Sequence, residues 1–148
     1  MVISANGRKM IESFEGLRLT AYRDVRGIPT IGYGHTGPSV VPGMTITQDQ
    51  ADAFMAADLD FAEQVVNQDV KAALTQNQFD ALVSLVYNIG GANFYVSTVL
   101  RKLNQGTPDY VGAAEAFLLW CKTNGEVNPG LLNRRNVEMK LFLTPPTA

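Results

Sequence analysis

The stretch from residue 14 to residue 36 reads FEGLRLTAYRDVRGIPTIGYGHT, and it contains the change of hydrophobic period on which the fold prediction depends. A helical pattern capped by Ser4 runs up to Glu15 and is stopped by Gly16. Two short strands are predicted after it, over 17–23 and 28–34, on either side of the turn at 24–27. The stretch therefore predicts a helix end followed at once by a β-hairpin.

Three polar side chains stand in these predicted elements. Glu15 ends the helix, Asp24 lies in the hairpin turn, and Thr30 lies on the returning strand. Folding that strand back toward the helix end would gather the three groups around one opening. Cleavage of a glycosidic bond needs two carboxyl groups, one to protonate the leaving oxygen and one to guide water or stabilise the developing cation. The spacing alone is weak support, because isolated acidic residues on turns are usually solvated.

The same stretch contains a G-x-G-x-x-G pattern at residues 32–37. That pattern cradles phosphates only where a helix begins directly behind it. Pro38 and Pro42 follow within a few residues, and the composition predicts a loop over 37–46. The glycines are therefore expected to permit tight backbone geometry, and a dinucleotide site is not expected.

The rest of the chain has helical periodicity. Thr47 with Gln50, and Thr75 with Gln78, fit the capping box that opens a helix. Helices are predicted over about 48–67, 76–88 (ending at Gly90), 97–104, 109–121 (capped by Asp109) and 131–142, followed by a loose tail over 144–148. The predicted fold class is therefore α+β and mostly α, with a single hairpin near the start.

Length and composition limit the classes of protein that this sequence fits. At 148 residues and 16.1 kDa the chain is about one domain long, and its 46% of hydrophobic residues is ordinary for a globular protein. The single cysteine, Cys121, lies in an apolar run and is expected to be buried. The single histidine, His35, leaves too few ligands for a hydrolytic zinc site, so no metal site is predicted.

Charge and hydropathy argue against two further classes. The net charge is −2, with an acidic excess between residues 31 and 100. A nucleic-acid binder needs a concentrated basic surface, so no nucleic-acid partner is expected. The sequence has no run of about 18 apolar residues, which argues against insertion in a membrane, and its first residues lack the order of a secretion signal.

Glu15, Asp24 and Thr30 at this spacing, within ESFEG (12–16) and RGIPTIGYGHT (26–36), resemble the phage-type lysozyme family, glycoside hydrolase family 24. Within that family the sequence resembles the short endolysins of lambdoid-type phages and the related T-even phage lysozyme. The resemblance continues through QFDAL (78–82), YNIG (87–90), STVLR (97–101) and GLLNRR (130–135), so it covers nearly the whole chain.

The resemblance implies a muramidase that hydrolyses the β-1,4 bond between N-acetylmuramic acid and N-acetylglucosamine in peptidoglycan, without a cofactor. Carried over by position, Glu15 is the general acid, and Asp24 and Thr30 hold the attacking water. The family is understood to invert the anomeric centre. The architecture should be two unequal lobes with a cleft between them: a hairpin lobe over about 16–50, a joining helix over about 48–67, and a helical lobe from 1–15 and about 65–143.

Other residues have open assignments. His35 is interpreted as a structural histidine tied to a carboxylate more than as a catalyst. Arg134 and Arg135 form a solvated basic face, or else one of them pairs with Glu15. Candidates for sugar contacts, chosen because aromatic faces and amides suit pyranose rings and acetamido groups, are Tyr33, Thr36, Tyr87, Asn88 and Thr98. Tyr33 and Tyr87 would fit a core equally well.

The resemblance also implies a route to the substrate. The protein would be stored in the host cytoplasm until a holin opens the inner membrane, and would then act on the cell wall as a monomer. Its sequence pI of about 5.3 departs from many basic relatives and weakens the expected attraction to an anionic wall. Two alternatives stay open: a lytic transglycosylase, and a catalytically inactive wall-binding module.

Overall fold

The computed structural model describes residues 1–147, and over that range it is mostly helical with two antiparallel hairpins. In chain order the elements are α1 (Ala5–Glu15), β1 (Arg18–Arg23), β2 (Pro29–Gly32), α2 (Gln48–Asp69), α3 (Gln76–Ile89), α4 (Gly91–Tyr95), α5 (Thr98–Asn104), α6 (Tyr110–Ala116), a 3-10 turn (Phe117–Leu119), β3 (Lys122–Thr123), β4 (Glu126–Val127) and α7 (Pro129–Leu143). The α+β, mostly α class is confirmed.

The helices begin where the sequence places their caps. The Thr75 hydroxyl accepts a hydrogen bond from the backbone N–H of Gln78 at 3.1 Å, and the Gln78 side chain accepts from the backbone N–H of Thr75 at 2.9 Å. Thr47 and Gln50 make the same reciprocal pair at 3.2 and 2.9 Å. Asp109 caps α6 as predicted. These caps satisfy backbone donors that have no partner within the helix.

The expectation of a single hairpin is wrong. Strands β3 and β4 form a second one, with Lys122 opposite Val127 and Thr123 opposite Glu126. Its turn is Asn124-Gly125, and both residues have positive φ, at 53° and 81°. An Asn-Gly dipeptide favours this kind of two-residue turn. The strands are too short to show an alternating hydrophobic pattern, so the dipeptide was the signal in the sequence.

Three other expectations fail locally. The helix predicted over 109–121 ends at Ala116 and passes into the 3-10 turn, while α4 begins directly after Gly90, where only a stop was expected. The tail is not loose from its start, because the Thr144 hydroxyl donates to the Lys140 carbonyl at 2.7 Å and the Thr144 carbonyl accepts from the Asn77 side chain at 3.1 Å. The last residue of that predicted tail, 148, lies outside the described residues.

The chain forms two compact units. We call residues Lys9–Asp60 the hairpin unit, and Met1–Arg8 with the chain from Phe61 onward the helical unit. The core of the hairpin unit includes a cluster of four buried apolar residues, Ile31, Val40, Ile46 and Ala51. The lobe bounds and the cleft expected from the sequence stay predictions.

In the helical unit, α3 packs against α7 and α5 packs against α6. The predicted apolar side of α3 is confirmed, because the residues that form it are buried: Phe79, Leu82, Val83 and Val86. The Phe117 and Phe142 rings lie 5.6 Å apart. Cys121 is buried, as expected. None of the helices within residues 1–147 combines the length and apolar character needed to cross a membrane.

Candidate active site

Glu15 is the last residue of α1, and its carboxyl group lies directly against the backbone of Gly34. A Cβ added to Gly34 would lie 3.0 Å from the Glu15 Cδ and closer still to its Oε1. Gly34 also has a φ of +74°, a conformation that L side chains rarely adopt. A glycine is therefore required at residue 34 both for the backbone and for the space that the carboxyl group occupies.

Asp24 is held in the β1–β2 turn by its own backbone neighbours. Its Oδ1 accepts hydrogen bonds from the backbone N–H groups of Arg26 at 2.8 Å and Ile28 at 2.9 Å. Its Oδ2 lies 3.6 Å from the Arg26 guanidinium. The Asp24 side chain keeps 22% of its surface exposed. The turn therefore fixes one carboxylate oxygen, while the group as a whole stays accessible to solvent.

Thr30 lies on β2 and is buried, with 3% of its surface exposed. Its hydroxyl donates a hydrogen bond to the Ile28 carbonyl at 2.8 Å. The single hydroxyl hydrogen is used in this bond, while the oxygen keeps lone pairs that can accept. Thr30 is therefore arranged to accept a hydrogen bond, for example from a water molecule.

Tyr22 connects these groups, and the sequence did not single it out. It lies on β1 directly opposite Thr30 in the hairpin register. Burial raises its pKa above the ordinary 10.0, and the charges of Glu15 and Asp24 raise it further, while Arg18 opposes them. Because both carboxyl groups influence this phenol, the structure brings Glu15 and Asp24 to the same part of the hairpin unit. The sequence contained one signal for Tyr22: the predicted hairpin implies that a residue of its first strand lies opposite Thr30.

His35 is tied to a carboxylate and packed on an aromatic ring. Its Nδ1 lies 2.8 Å from Asp58 Oδ2, and its ring stacks on Phe54 at 4.2 Å between centroids, only 5° from parallel. Its backbone exchanges hydrogen bonds with Ile31 at 2.8 and 2.9 Å. These contacts fix the chain next to Gly34 and fit the structural role expected for His35. The sequence did not reveal Asp58 as the partner.

The sequence matches the phage lysozyme family over residues 12–138, a range that contains every residue of this site. The chain belongs to that family. As a phage lysozyme it is a glycoside hydrolase with the muramidase function of an endolysin, acting on the cell wall.

Individual relatives support this family assignment. The endolysin of Salmonella phage P22 is 49% identical over 148 residues, covering 97% of this chain and 99% of the relative. The muramidase domain of SpmX from Asticaccaulis excentricus is 45% identical, with a TM-score of 0.84 and coverage of 97% of this chain and 98% of that one. A SAR-endolysin of bacteriophage PS119 is 39% identical over 132 residues, covering 89% of this chain and 78% of the relative.

Arg134 and Arg135 are buried in this lysozyme, with 5% and 0% of their surfaces exposed, so the solvated-face alternative is wrong. Both pair with Glu138 one turn along α7, at 3.2 and 2.7 Å. Ser84 on α3 also donates to the Glu138 carboxylate. Burial raises the pKa of Glu138 even though Arg135 and Arg134 lower it. Helix α7 turns this face toward α3, which is why the arginines are inside. The predicted pairing of an arginine with Glu15 stays a prediction.

The five predicted sugar contacts are divided between the units. Tyr33 and Thr36 lie in the hairpin unit; Tyr87, Asn88 and Thr98 lie in the helical unit. Thr36 is exposed and the other four are half-buried. The Tyr33 ring packs on the core of the hairpin unit, and its hydroxyl accepts from Gln48 at 3.3 Å. Asn88 Oδ1 accepts from Arg135 at 2.7 Å. Their roles toward a sugar stay predictions.

Proposed function

We propose that Glu15 is the general acid of this muramidase, that Asp24 is the general base and that Thr30 helps to hold the attacking water. The observation that carries the proposal is the position of the Glu15 carboxyl group on Gly34, in the same unit as the hairpin that holds Asp24 and Thr30. An acid and a base presented by neighbouring rigid elements are what hydrolysis of a glycosidic bond requires.

In the proposed reaction, Glu15 gives its proton to the glycosidic oxygen as the bond between that oxygen and C1 of N-acetylmuramic acid breaks. Water attacks C1 from the opposite face and passes a proton to Asp24, while the Thr30 oxygen accepts the hydrogen bond that orients this water. The configuration at C1 is inverted, and return of the proton to Glu15 restores the enzyme. The Asp24 carboxylate suits the base role, because backbone donors orient it and solvent still reaches it.

The variant Glu15→Gln tests the acid assignment, because it keeps the shape of the side chain and removes the transferable proton. Clearing of a peptidoglycan suspension is expected to fall by at least about a hundredfold, within the range that positioned acids contribute. The control is Glu115→Gln, an exposed change on α6 that should leave clearing unchanged. If the Glu15 variant clears the suspension as fast as the parent, Glu15 is not the acid.

The stereochemistry has its own measurement. NMR of the newly formed reducing ends should first show the α-anomer, because inversion of a β-linked sugar gives that product. An initial β-anomer would mean retention and would assign Asp24 or another group as a nucleophile. Products ending in 1,6-anhydro sugars would mean that no water is added and that the reaction is a lytic transglycosylation.

We also propose that the protein waits in the host cytoplasm as a monomer until a holin opens the inner membrane. The chain is more similar to the P22 endolysin, at 49% identity, than to the SAR-endolysin of bacteriophage PS119, at 39% identity. Expression without a holin should leave the host intact, and co-expression of a holin should cause lysis. Lysis that needs active Sec export and no holin would overturn this route. Light scattering of the purified protein tests the monomer.

A further inference from the structure

Tyr22 occupies a central position in the proposed site, although no role follows for it from the reaction described above. It lies opposite Thr30 in the antiparallel register of β1 and β2. Side chains of directly opposed residues project from the same face of a hairpin. Tyr22 therefore shares a face with the residue proposed to orient the attacking water, and it feels the charges of Glu15 and Asp24.

The Tyr22 ring is held by a cation. The Arg18 guanidinium lies over the ring, 4.5 Å from its centroid. The pairing register of the hairpin shifts between Arg18 and Tyr22, so β1 is irregular between these two residues. A guanidinium over an aromatic face is attractive. Arg18 therefore restricts where the half-buried phenol can turn.

The Tyr22 hydroxyl is available as a donor. Within residues 1–147, no side chain or backbone group makes a hydrogen bond with it. Because burial and the nearby carboxyl groups raise the pKa of Tyr22 above the ordinary 10.0, the phenol is protonated at neutral pH. Of its neighbours, Thr30 has already given its hydrogen to Ile28, and an ionised Asp24 has none to give. The hydroxyl and acetamido oxygens of an amino sugar can accept a hydrogen bond from such a donor.

We propose that Tyr22 is an additional substrate contact of this enzyme: its hydroxyl donates a hydrogen bond to an oxygen of the amino sugar beside the scissile bond, and Arg18 is the positioning residue that holds the ring. This inference depends on the proposed function, because it places the sugar between Glu15 and Asp24. A purely structural Tyr22 would need only its ring, whereas the proposed substrate contact needs its hydroxyl.

The variant Tyr22→Phe removes the hydroxyl and keeps the ring beneath Arg18. The rate of peptidoglycan clearing at limiting substrate is expected to fall about tenfold, the usual effect of losing one well-placed hydrogen bond. The shape of its pH profile and the thermal midpoint at neutral pH should stay unchanged. Tyr95→Phe is the matched control, because Tyr95 is 70% exposed. Clearing equal to the parent, or a loss matched by a lower thermal midpoint, would overturn the inference.

Arg18 is tested through a double-mutant cycle. Arg18→Met should slow clearing about threefold in the parent and have little further effect in the Tyr22→Phe background, because it acts through the Tyr22 hydroxyl. Equal effects in both backgrounds would refute the positioning role.

The Glu15→Gln variant distinguishes a failure of the Tyr22 inference from a failure of the proposed function. If that variant is inactive and Tyr22→Phe is fully active, only the Tyr22 inference fails; if Glu15→Gln is active, the proposed function itself fails.

Discussion

Replacing Gly34 with alanine perturbs the proposed acid from outside its own side chain. The new methyl group would lie 3.0 Å from the Glu15 Cδ, and nearer to Oε1. Ordinary carbon contacts are about 3.5 to 4.0 Å, so the carboxyl group must retreat by about 1 Å. Gly34→Ala therefore displaces the proton donor without changing its chemistry.

The magnitudes of the two expected effects differ. An alanine at a φ of +74° costs about 1 to 2 kcal/mol in the free energy of unfolding, because its Cβ crowds the backbone. In a chain of this length that loss lowers the thermal midpoint by roughly 2 to 8 °C. A displacement of about 1 Å in a reacting group can cost about a hundredfold in rate. The loss of activity should therefore exceed anything that lower stability explains at 25 °C.

Gly43→Ala is the control that separates strain from displacement. Gly43 has a φ of +83°, but a Cβ added there would meet nothing within 4 Å. Both variants should show similar drops in the thermal midpoint, measured by circular dichroism, while only Gly34→Ala should lose peptidoglycan clearing. If the two variants clear equally well, the Glu15 carboxyl group does not need its position on Gly34, and the reasoning is refuted.

Three further predictions concern groups that the structure pairs or buries. Asp58→Ala removes the carboxylate that holds His35 and should cost about 1 kcal/mol in urea denaturation, whereas the exposed Asp60→Ala on the same helix should cost nothing measurable. Glu138→Ala leaves two buried guanidinium groups without their carboxylate and should cost about 3 to 5 kcal/mol; a loss under 1 kcal/mol would contradict this. The pKa of Tyr22 is raised above 10.0, so the stability linked to it is complete below about pH 10 and is lost as the pH rises through the folded-state pKa. Tyr22→Phe should therefore flatten the alkaline fall of the thermal midpoint, and parallel curves for parent and variant would disprove the linkage.

Several features of the site could be predicted because they depend on neighbours in sequence. The caps at Thr47 and Thr75 and the turn at Asp24 are formed by hydrogen bonds within four residues. Such contacts form wherever the local sequence permits them. The family likeness around Glu15 and Thr30 was also visible in the order of residues alone. The sequence therefore determined the helix starts, the first hairpin and the family.

The partners of the charged groups depended on the tertiary structure. His35 pairs with Asp58, 23 residues away, and Arg134 lies beside Ser84, 50 residues away. Whether an arginine is solvated or buried depends on which side of its helix faces another helix. In α7 the apolar and polar residues are not separated onto two clear sides, so the sequence pattern does not show which side is buried. The position of the Glu15 carboxyl group on Gly34 likewise requires the helix end and the strand turn to meet. Caps and turns are determined by a few residues that are neighbours in sequence. Long-range pairing depends instead on how buried surfaces pack, which is a property of the whole chain.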